Sequence, residues 1–246
     1  MFLQKTCNST NYWTLSRWDE AGLLHGFVGR DIDVSGSNLK FHECFGKDKE
    51  LVLLSQVHGN KIVDVGKCLS DKIAVSDFGD FEADAWMKHR DDSAERKIVL
   101  GIKTADCFPV LMWDPNSNYC AALHCGWRST MLGIVEVAVS WFCERGARVQ
   151  DIELAIGPGA QSCCYEVGLE LIEQFSNSGA ELRYRQSSIP GKIMADIATV
   201  ISDKARSSGL IEKKIFCLGL CTICDSRFFS FRREKSQAGR QLSFIC

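Results

Sequence analysis

The chain has 246 residues, of which 46% are hydrophobic and 24% charged, and its formal net charge is −2. This composition is ordinary for a soluble globular protein, and the near-neutral charge argues against a basic nucleic-acid-binding domain. No apolar run reaches the roughly 18 residues of a membrane span. From the charge and the lack of such a run, we expect neither nucleic acid nor a membrane as a partner.

The chain contains no internal repeat or proline-rich linker, and only four prolines in total. A single domain over residues 1–246 is therefore the simplest expectation. The sequence leaves the oligomeric state open.

Thirteen cysteines are present, an odd number, and the first residues lack the apolar stretch of a secretory signal. We therefore expect reduced thiols and a cytoplasmic location rather than a disulfide framework. Most of these cysteines are expected to be small buried apolar side chains. The same interpretation covers Cys221 and Cys224, which have no second CxxC motif to complete a zinc site, and the adjacent Cys163 and Cys164.

Taken in chain order, nine short apolar runs predict β-strands. They span residues 51–55, 61–65, 97–103, 108–113, 119–123, 152–156, 215–218, 228–232 and 241–245. Residues 31–50 are weakly patterned, and residues 66–80 have the glycine, serine and aspartate content of a loop.

Amphipathic helical patterns begin at Thr130, Val167 and Lys192. The apolar side of the first pattern consists of Leu132, Val135, Val139 and Phe142, and Gly146 and Gly209 follow the ends of the first and third helices. Strands outnumber helices without regular alternation. This favours an α+β fold, an αββα layered sandwich in which helices cover mixed sheets.

Residues 108–113 and 119–123 predict a β-hairpin, with the turn-forming residues 114–118 between them. Cys107 and His124 are symmetric about the Pro115–Asn116 bond, so a turn centred there would place them opposite each other. Opposed residues have Cβ atoms roughly 4.5–5.5 Å apart. A thiolate and an imidazole at that separation could share a metal ion or form a nucleophile–base pair.

His58 lies between two predicted strands, and a cysteine with two histidines is an accepted ligand set for a catalytic zinc with one open position. Gly59 and Gly126 follow the two histidines and permit close approach of backbone or ligand. Asp106 either orients a ligand imidazole or serves as a turn or cap carboxylate, and both interpretations stay open.

Anion-binding groups are also candidates. Residues 157–160, Gly-Pro-Gly-Ala after a predicted strand, form either a backbone nest or a plain tight turn. Four arginines could bind phosphate or carboxylate in forked geometry, and we expect about two of them to line a site. They are Arg128, Arg232, Arg233 and Arg240.

Several ordered motifs together resemble a known family. They are QVHG at 56–59, TADCFPVL at 104–111, HCGWR at 124–128, IGP at 156–158, CYEVG at 164–168, CT at 221–222, FSFRR at 229–233 and GR at 239–240. These motifs resemble the laccase-domain purine nucleoside phosphorylase family, also called the polyphenol oxidase or peptidoglycan-editing-factor family.

The resemblance implies a metal, usually zinc with copper as the alternative, held by the catalytic residues His58, Cys107 and His124. It implies phosphorolysis of adenosine, inosine, guanosine and S-methyl-5′-thioadenosine, together with deamination of adenosine. The implied partners are purine nucleosides and phosphate, for which Arg128 and Arg233 are the leading anion-binding candidates.

This chain departs from the family pattern at several positions. Cys125 stands where the family usually has alanine, and Ser129 where it usually has glycine. The Gly-Gly-Val-Ser segment of the family appears only as DVSG at 33–36, and Asn38 and Leu39 match part of the family's Leu-Asn-Leu segment. These departures concern the expected substrate wall and leave substrate preference open.

Three other functions remain open from the residues alone. A copper-dependent polyphenol oxidase is one, although five histidines are too few for a multicopper centre and only a lone Cu(II) site would be possible. A metal-free hydrolase linked to peptidoglycan editing is another, with Cys107 as nucleophile and His124 as base. A partner-binding protein without turnover is the third.

Overall fold

The computed structural model describes residues 1–35, 39–92 and 97–246. The predicted motif positions Gly36 and Asn38, and the side chain of Leu39, lie outside the described part of the chain.

The strands of the described ranges are numbered in chain order. They are β1 (Phe2–Cys7), β2 (Thr10–Leu15), β3 (His25–Val28), β4 (Lys49–Val52), β5 (Ile62–Asp64), β6 (Ala85–His89), β7 (Lys97–Thr104), β8 (Phe108–Trp113), β9 (Tyr119–Cys125), β10 (Glu153–Ile156), β11 (Glu166–Gly168), β12 (Tyr184–Gln186), β13 (Lys192–Ala195), β14 (Ile215–Cys217) and β15 (Gln241–Ile245).

The helices are α1 (Ser16–Glu20), α2 (Leu39–Phe45), α3 (Val65–Ser70), α4 (Trp127–Met131), α5 (Ile134–Glu144), α6 (Glu170–Asn177), α7 (Ile197–Ser207) and α8 (Phe231–Glu234). Short 3₁₀ turns span Val75–Asp80, Val149–Asp151, Glu212–Lys214 and Lys235–Gln237.

Two six-stranded sheets and one three-stranded sheet contain these strands. The first sheet has the order β1-β2-β3-β15-β7-β4, and the second has the order β14-β10-β8-β9-β6-β5. Each is mixed, because β4 pairs parallel with β7 in the first sheet while β5 and β14 are parallel edge strands of the second. The small sheet, β11-β13-β12, is antiparallel.

The two large sheets pack face to face with helices outside them. Along β7, Ile98 and Leu100 belong to the core between the sheets, while the intervening Val99 packs on the outer side with Phe41 of α2. Successive side chains of a strand point to opposite faces of its sheet, so β7 is buried on both faces. Helices α5 and α7 cover the other side of the second sheet, so the predicted α+β sandwich with helices over mixed sheets is confirmed.

The predicted helix from Thr130 is interrupted. Gly133 has a φ of 83°, a left-handed conformation that ends α4 before α5 begins. Leu132 is consequently 50% exposed instead of buried, whereas Val135, Val139 and Phe142 face the core as predicted. Gly146, with a φ of 87°, follows the end of α5.

Other predicted elements begin with a different structure. The runs from Val167 and Lys192 start as β11 and β13, because their apolar residues pair in the small sheet. Helix α7 starts only after Asp196, whose side chain accepts a hydrogen bond from the Thr199 N–H at 3.0 Å. Residues 228–232 form no strand, since Ser230 caps the short helix α8. The segment 66–80 contains α3 and a 3₁₀ turn.

The predicted hairpin of β8 and β9 is confirmed, but its register is wrong. His124 pairs with Pro109 rather than with Cys107, which precedes β8. The Asp114 N–H donates to Tyr119 at 3.0 Å, and Asn118 has a φ of 60°. The loop is therefore residues 115–118, and the turn is centred one residue later than predicted.

The expectation that most cysteines are buried is also wrong. All thirteen are free, but only five are buried: Cys68, Cys120, Cys125, Cys221 and Cys246. Cys163 and Cys224 are among the exposed ones, because both lie on loops.

Among the described residues, no helix combines the length and apolar character needed to cross a membrane.

Candidate metal centre

Three side chains from separate parts of the chain converge at one end of the second sheet. His58 comes from the loop after β4, Cys107 precedes β8, and His124 lies on β9. Their ligand atoms all lie within 4.8 Å of one another, and Cys107 Sγ is 3.9 Å from His58 Nε2. The structure thus brings together the three residues that the sequence nominated as metal ligands.

Asp84, which the sequence analysis missed, holds two of these ligands. Its buried carboxylate accepts the backbone N–H groups of His58 at 2.9 Å and Gly59 at 2.6 Å. The same carboxylate lies 2.7 Å from Nδ1 of His124. Burial would raise the pKa of Asp84, but the hydrogen bonds from His124 and Gly59 hold it below its usual value.

The histidine orientation follows from this contact. Because an ionised carboxylate only accepts hydrogen bonds, Nδ1 of His124 carries a proton and Nε2 is left to bind a ligand. This carboxylate–histidine arrangement is the usual outer support of a metal-bound imidazole. The sequence did offer one signal for Asp84. Its carboxylate directly precedes β6, and β6 pairs antiparallel with β9, the strand that carries His124.

Further contacts position the loop of His58 and the sulfur of Cys107. The Gln56 side chain exchanges two hydrogen bonds with the backbone of Lys103, at 2.8 and 2.9 Å, so the His58 loop is fixed to the end of β7. At Gly126 a Cβ atom would lie 3.0 Å from Cys107 Sγ, so any larger residue would crowd the sulfur. The predicted close approach at this glycine is therefore real.

The electrostatics favour a thiolate at Cys107. Burial would raise the pKa of this thiol, but the charge and hydrogen bonds of His124 and His58 lower it to about 6. Burial would lower the pKa of His124, but the Cys107 thiolate and Asp84 raise it to about 9. Without a metal, the pair is a thiolate facing an imidazolium at neutral pH, and the thiolate is the metal-binding form of cysteine.

The donor set fits a metal ion. One thiolate and two imidazoles leave a fourth coordination position, as in a catalytic zinc site. All three residues line a cavity of about 790 Å³, so the fourth position would face a space large enough for a small-molecule substrate.

The cavity has cationic and aromatic walls. Its charged lining consists of Asp106 and four cations, Lys103, Arg128, Arg232 and Arg240. Trp127, Tyr165 and Phe231 also line it. Three of the four nominated arginines therefore reach the cavity, together with Lys103, which the sequence analysis did not single out.

Arg233, the fourth arginine, lies elsewhere. Its guanidinium donates to the backbone carbonyls of Thr222 at 2.7 Å, Ile223 at 2.8 Å and Phe228 at 2.5 Å. Arg233 is not among the cavity-lining residues. A guanidinium with these partners fixes the loop before α8 instead of facing an anion in the cavity.

Asp106 takes the turn-and-cap role. With a φ of 90°, it accepts the Thr222 hydroxyl at 2.7 Å and the Arg232 N–H of α8 at 2.6 Å. The imidazole-orienting role considered for Asp106 belongs to Asp84.

The glycine-rich loop 157–160 is a backbone junction. Its amides are already paired: Gly157 donates to Pro109, Gly159 to Leu220 and Ala160 to Asp106. The nest interpretation is therefore wrong, because these N–H groups are not available to an anion.

The positions that depart from the family pattern lie around the same cavity. Cys125 lines it and is fully buried, and Ser129 is buried on α4. Val34 and Ser35, from the altered N-terminal segment, also line the cavity, as does Arg240, whose backbone N–H donates to Asp33 at 3.0 Å.

Comparisons with known proteins agree with this architecture. The model of the family described as multi-copper polyphenol oxidoreductase laccase matches residues 30–246. A purine nucleoside phosphorylase of Clostridium acetobutylicum is 34% identical over 200 residues, which are 80% of this chain and 77% of that protein. Adenosine deaminase RL5, from an unknown prokaryotic organism, is 32% identical over 151 residues, covering 60% and 58%.

A crystal structure of the hypothetical protein YfiH of Bacillus licheniformis superposes with a TM-score of 0.79 at 24% identity, over 95% of each chain. This likeness establishes the shared fold.

Replacing Asp84 by asparagine should weaken metal binding at this site. The amide keeps one acceptor oxygen, whereas the two carboxylate oxygens now accept hydrogen bonds from His58, Gly59 and His124. Because the two histidine ligands would be held less firmly, the metal dissociation constant should rise about 10- to 100-fold. The measurement is protection of the Cys107 peptide from iodoacetamide in zinc-buffered solutions, read by mass spectrometry. Asp77→Asn, which removes an exposed carboxylate, is the control, and equal protection in both variants would contradict the role of Asp84.

The lowered pKa of Cys107 predicts a pH profile for the metal-free protein. Its alkylation rate should be half-maximal near pH 6, because the thiolate persists above that pH and is lost below it. Cys217, whose pKa burial raises above the usual value of 9.0, is the internal control and should react only in more alkaline solution. A Cys107 midpoint close to that of Cys217 would show that the two histidines do not stabilise the thiolate.

Proposed function

Because the chain belongs to the multi-copper polyphenol oxidoreductase laccase family, we propose that it is a metal-dependent purine nucleoside phosphorylase that also deaminates adenosine. Relatives named purine nucleoside phosphorylase and adenosine deaminase support these two activities. The observation that carries the proposal is the open three-ligand site of His58, Cys107 and His124 in a cationic cavity.

The proposed metal is zinc. A thiolate with two neutral imidazoles is a donor set that zinc accepts, and copper is the alternative for the same ligands. When bound, zinc supplies Lewis-acid chemistry at this position. Asp84 holds the proton on Nδ1 of His124 and so keeps Nε2 available.

The proposed substrates are adenosine, inosine, guanosine and S-methyl-5′-thioadenosine. The aromatic rings of Trp127, Tyr165 and Phe231 offer surfaces on which a purine base could stack. A cavity of about 790 Å³ falls within the size range of small-molecule sites and leaves room for a nucleoside and phosphate together.

Phosphate is the proposed second substrate. Four cations against one carboxylate give the cavity lining an excess of positive charge, which attracts a phosphate dianion. Arg128 and Lys103 would hold it by charge-assisted hydrogen bonds. Arg232 and Arg240 are already committed in part. The Arg232 guanidinium donates to the backbone carbonyl of Glu166 at 2.8 Å and lies over the Tyr165 ring. The Arg240 guanidinium donates to the backbone carbonyls of Ala238 at 2.7 Å and Gly239 at 2.9 Å.

In phosphorolysis, a phosphate oxygen forms a bond to C1′ of the ribose while the bond from C1′ to the purine nitrogen breaks. The bonding electrons leave with the purine, which takes up a proton, and the other product is ribose 1-phosphate. The cations fix the phosphate close to C1′ and stabilise its charge during transfer. In deamination, water replaces the 6-amino group, which leaves as ammonia.

The site uses residues from 34 to 240, and we propose that residues 1–246 act as one functional domain. A cytoplasmic location is also proposed, because thirteen free cysteines suit a reducing compartment.

A metal-free hydrolase is the second candidate. The observation that favours it is the pKa of Cys107, lowered to about 6 beside His124, since a thiolate next to an imidazolium is a competent nucleophile. Copper-dependent phenol oxidation has less support. All five histidines lie in the described ranges, and only His58 and His124 line the cavity.

The test is to incubate the zinc-loaded protein with adenosine and phosphate and to identify the products by chromatography. Adenine with ribose 1-phosphate, and inosine in phosphate-free buffer, are expected. His124→Ala should lower both rates by more than about 100-fold, because loss of a ligand exceeds the effect of losing its outer support. His89→Ala, which changes a histidine outside the cavity, is the control.

Two results would contradict the proposal. One is the absence of nucleoside turnover by the zinc-loaded protein. The other is activity that survives complete metal removal and disappears on alkylation of Cys107, which would favour the hydrolase.

Arg128→Ala should raise the KM for phosphate by about ten- to a hundredfold, since a hydrogen bond to a charged group contributes about 1.5–3 kcal/mol. Adenosine deamination, which consumes no phosphate, should change much less. Arg148→Ala, an exposed arginine paired with Asp151, is the matched control. An unchanged phosphate dependence would remove Arg128 from the anion site.

A further inference from the structure

A second group of metal-ligating side chains lies outside the candidate active site. Cys163 and Cys164 are adjacent in one loop, and Cys221 and Cys224 form a CxxC motif in another. Their four sulfur atoms all lie within 4.8 Å of one another. The fold has therefore brought two cysteine pairs that are distant in the sequence to one point.

The spacing of the sulfurs suits a single ion. Zinc–sulfur bonds of about 2.3 Å in tetrahedral geometry separate the sulfurs by about 3.8 Å. Cys163 and Cys224 are 4.0 Å apart, far beyond the roughly 2.05 Å of a disulfide bond. An iron–sulfur cluster would hold its four thiolates farther apart, around its inorganic core.

We propose that Cys163, Cys164, Cys221 and Cys224 bind a structural zinc ion as a tetrathiolate. Four protein ligands leave no open position, which is the arrangement of structural rather than catalytic zinc sites. The two adjacent cysteines supply the second ligand pair for which the sequence offers no second CxxC.

Two arginines fix the loops that carry the four cysteines. The CxxC loop is already fixed by Arg233, which donates to the backbone carbonyls of Thr222 and Ile223 and is ion-paired with Glu234. Arg185 donates to Ser162 at 3.2 Å, next to the other cysteine pair.

The zinc would join two loops that form part of the active-site wall. Ala160 and Tyr165, at the ends of the first loop, line the cavity. Thr222, inside the CxxC motif, donates to Asp106, the residue before Cys107. The ion would thus fix loops that position the candidate active site without touching the substrate.

The first test measures metal content of the full chain purified under reducing conditions and reconstituted with zinc. The wild type should hold two zinc ions per chain, and Cys224→Ser should hold one. Cys143→Ser removes an exposed cysteine of α5 that belongs to neither group, and it should still hold two. Cobalt substitution gives a second readout: Cys224→Ser should lose about half of the thiolate-to-cobalt absorption or more.

A variant-independent measurement guards against misfolding of Cys224→Ser. In the wild type, zinc should protect the peptides of all four cysteines from iodoacetamide, and a chelator should abolish this protection. If zinc still protects Cys107 in Cys224→Ser, the two sites bind metal independently. A failure of metal binding at Cys107 would leave the protection of the four cysteines in the wild type unchanged.

Three results would overturn the proposal. They are the same zinc content in Cys224→Ser and wild type, iron with acid-labile sulfide in place of zinc, and a disulfide among these cysteines in protein purified without oxygen.

Discussion

The buried carboxylate of Asp84 is the contact on which the candidate active site depends. It lies at the start of β6, between the strand that carries His124 and the loop that carries His58, and it hydrogen-bonds to both. In a low-dielectric interior these contacts reinforce one another. Loss of the carboxylate would leave the buried Nδ1–H of His124 and the part-buried backbone N–H groups of His58 and Gly59 without this acceptor. Asp84 therefore determines both the shape of the loop and the orientation of the imidazole.

Two residues at the site adopt conformations that are unfavourable for side chains other than glycine. His58 has a φ of 61° and Asp106 a φ of 90°, each costing of the order of 1–3 kcal/mol. Both are held by hydrogen bonds, the first through its own N–H to Asp84 and the second through its carboxylate to Thr222 and Arg232. Strain at these two points accompanies the placement of an imidazole and a thiol in the lining of the cavity.

The two groups of sulfur and nitrogen ligands have different chemistry. The first combines one thiolate with two imidazoles and faces a cavity, as suits a site that accepts substrate. The second has four thiols and closes on itself. Thr222 and Asp106 connect them through one hydrogen bond, so the order of the second site bears directly on the backbone next to Cys107.

The sequence by itself determined the composition class, the mixed α+β layers, the β8–β9 hairpin and the motifs that identified the family. It did so because strand periodicity, turn residues and short motifs are local properties. It gave the wrong structure where apolar runs such as that from Lys192 pair in the small sheet, since pairing depends on distant strands.

Only the tertiary structure decided which polar groups meet. The CxxC motif at Cys221 and Cys224 is visible in the sequence, but its partners Cys163 and Cys164, like the partners of Asp84 and Lys103, come from chain segments far apart in sequence. Arg233 and Asp106 have the residue types of a substrate site, yet their partners are groups of α8 and of the loop before it. The physical reason is that hydrogen-bonding and metal-binding partners are fixed by position in space, and that position follows from strand order and register rather than from neighbours along the chain.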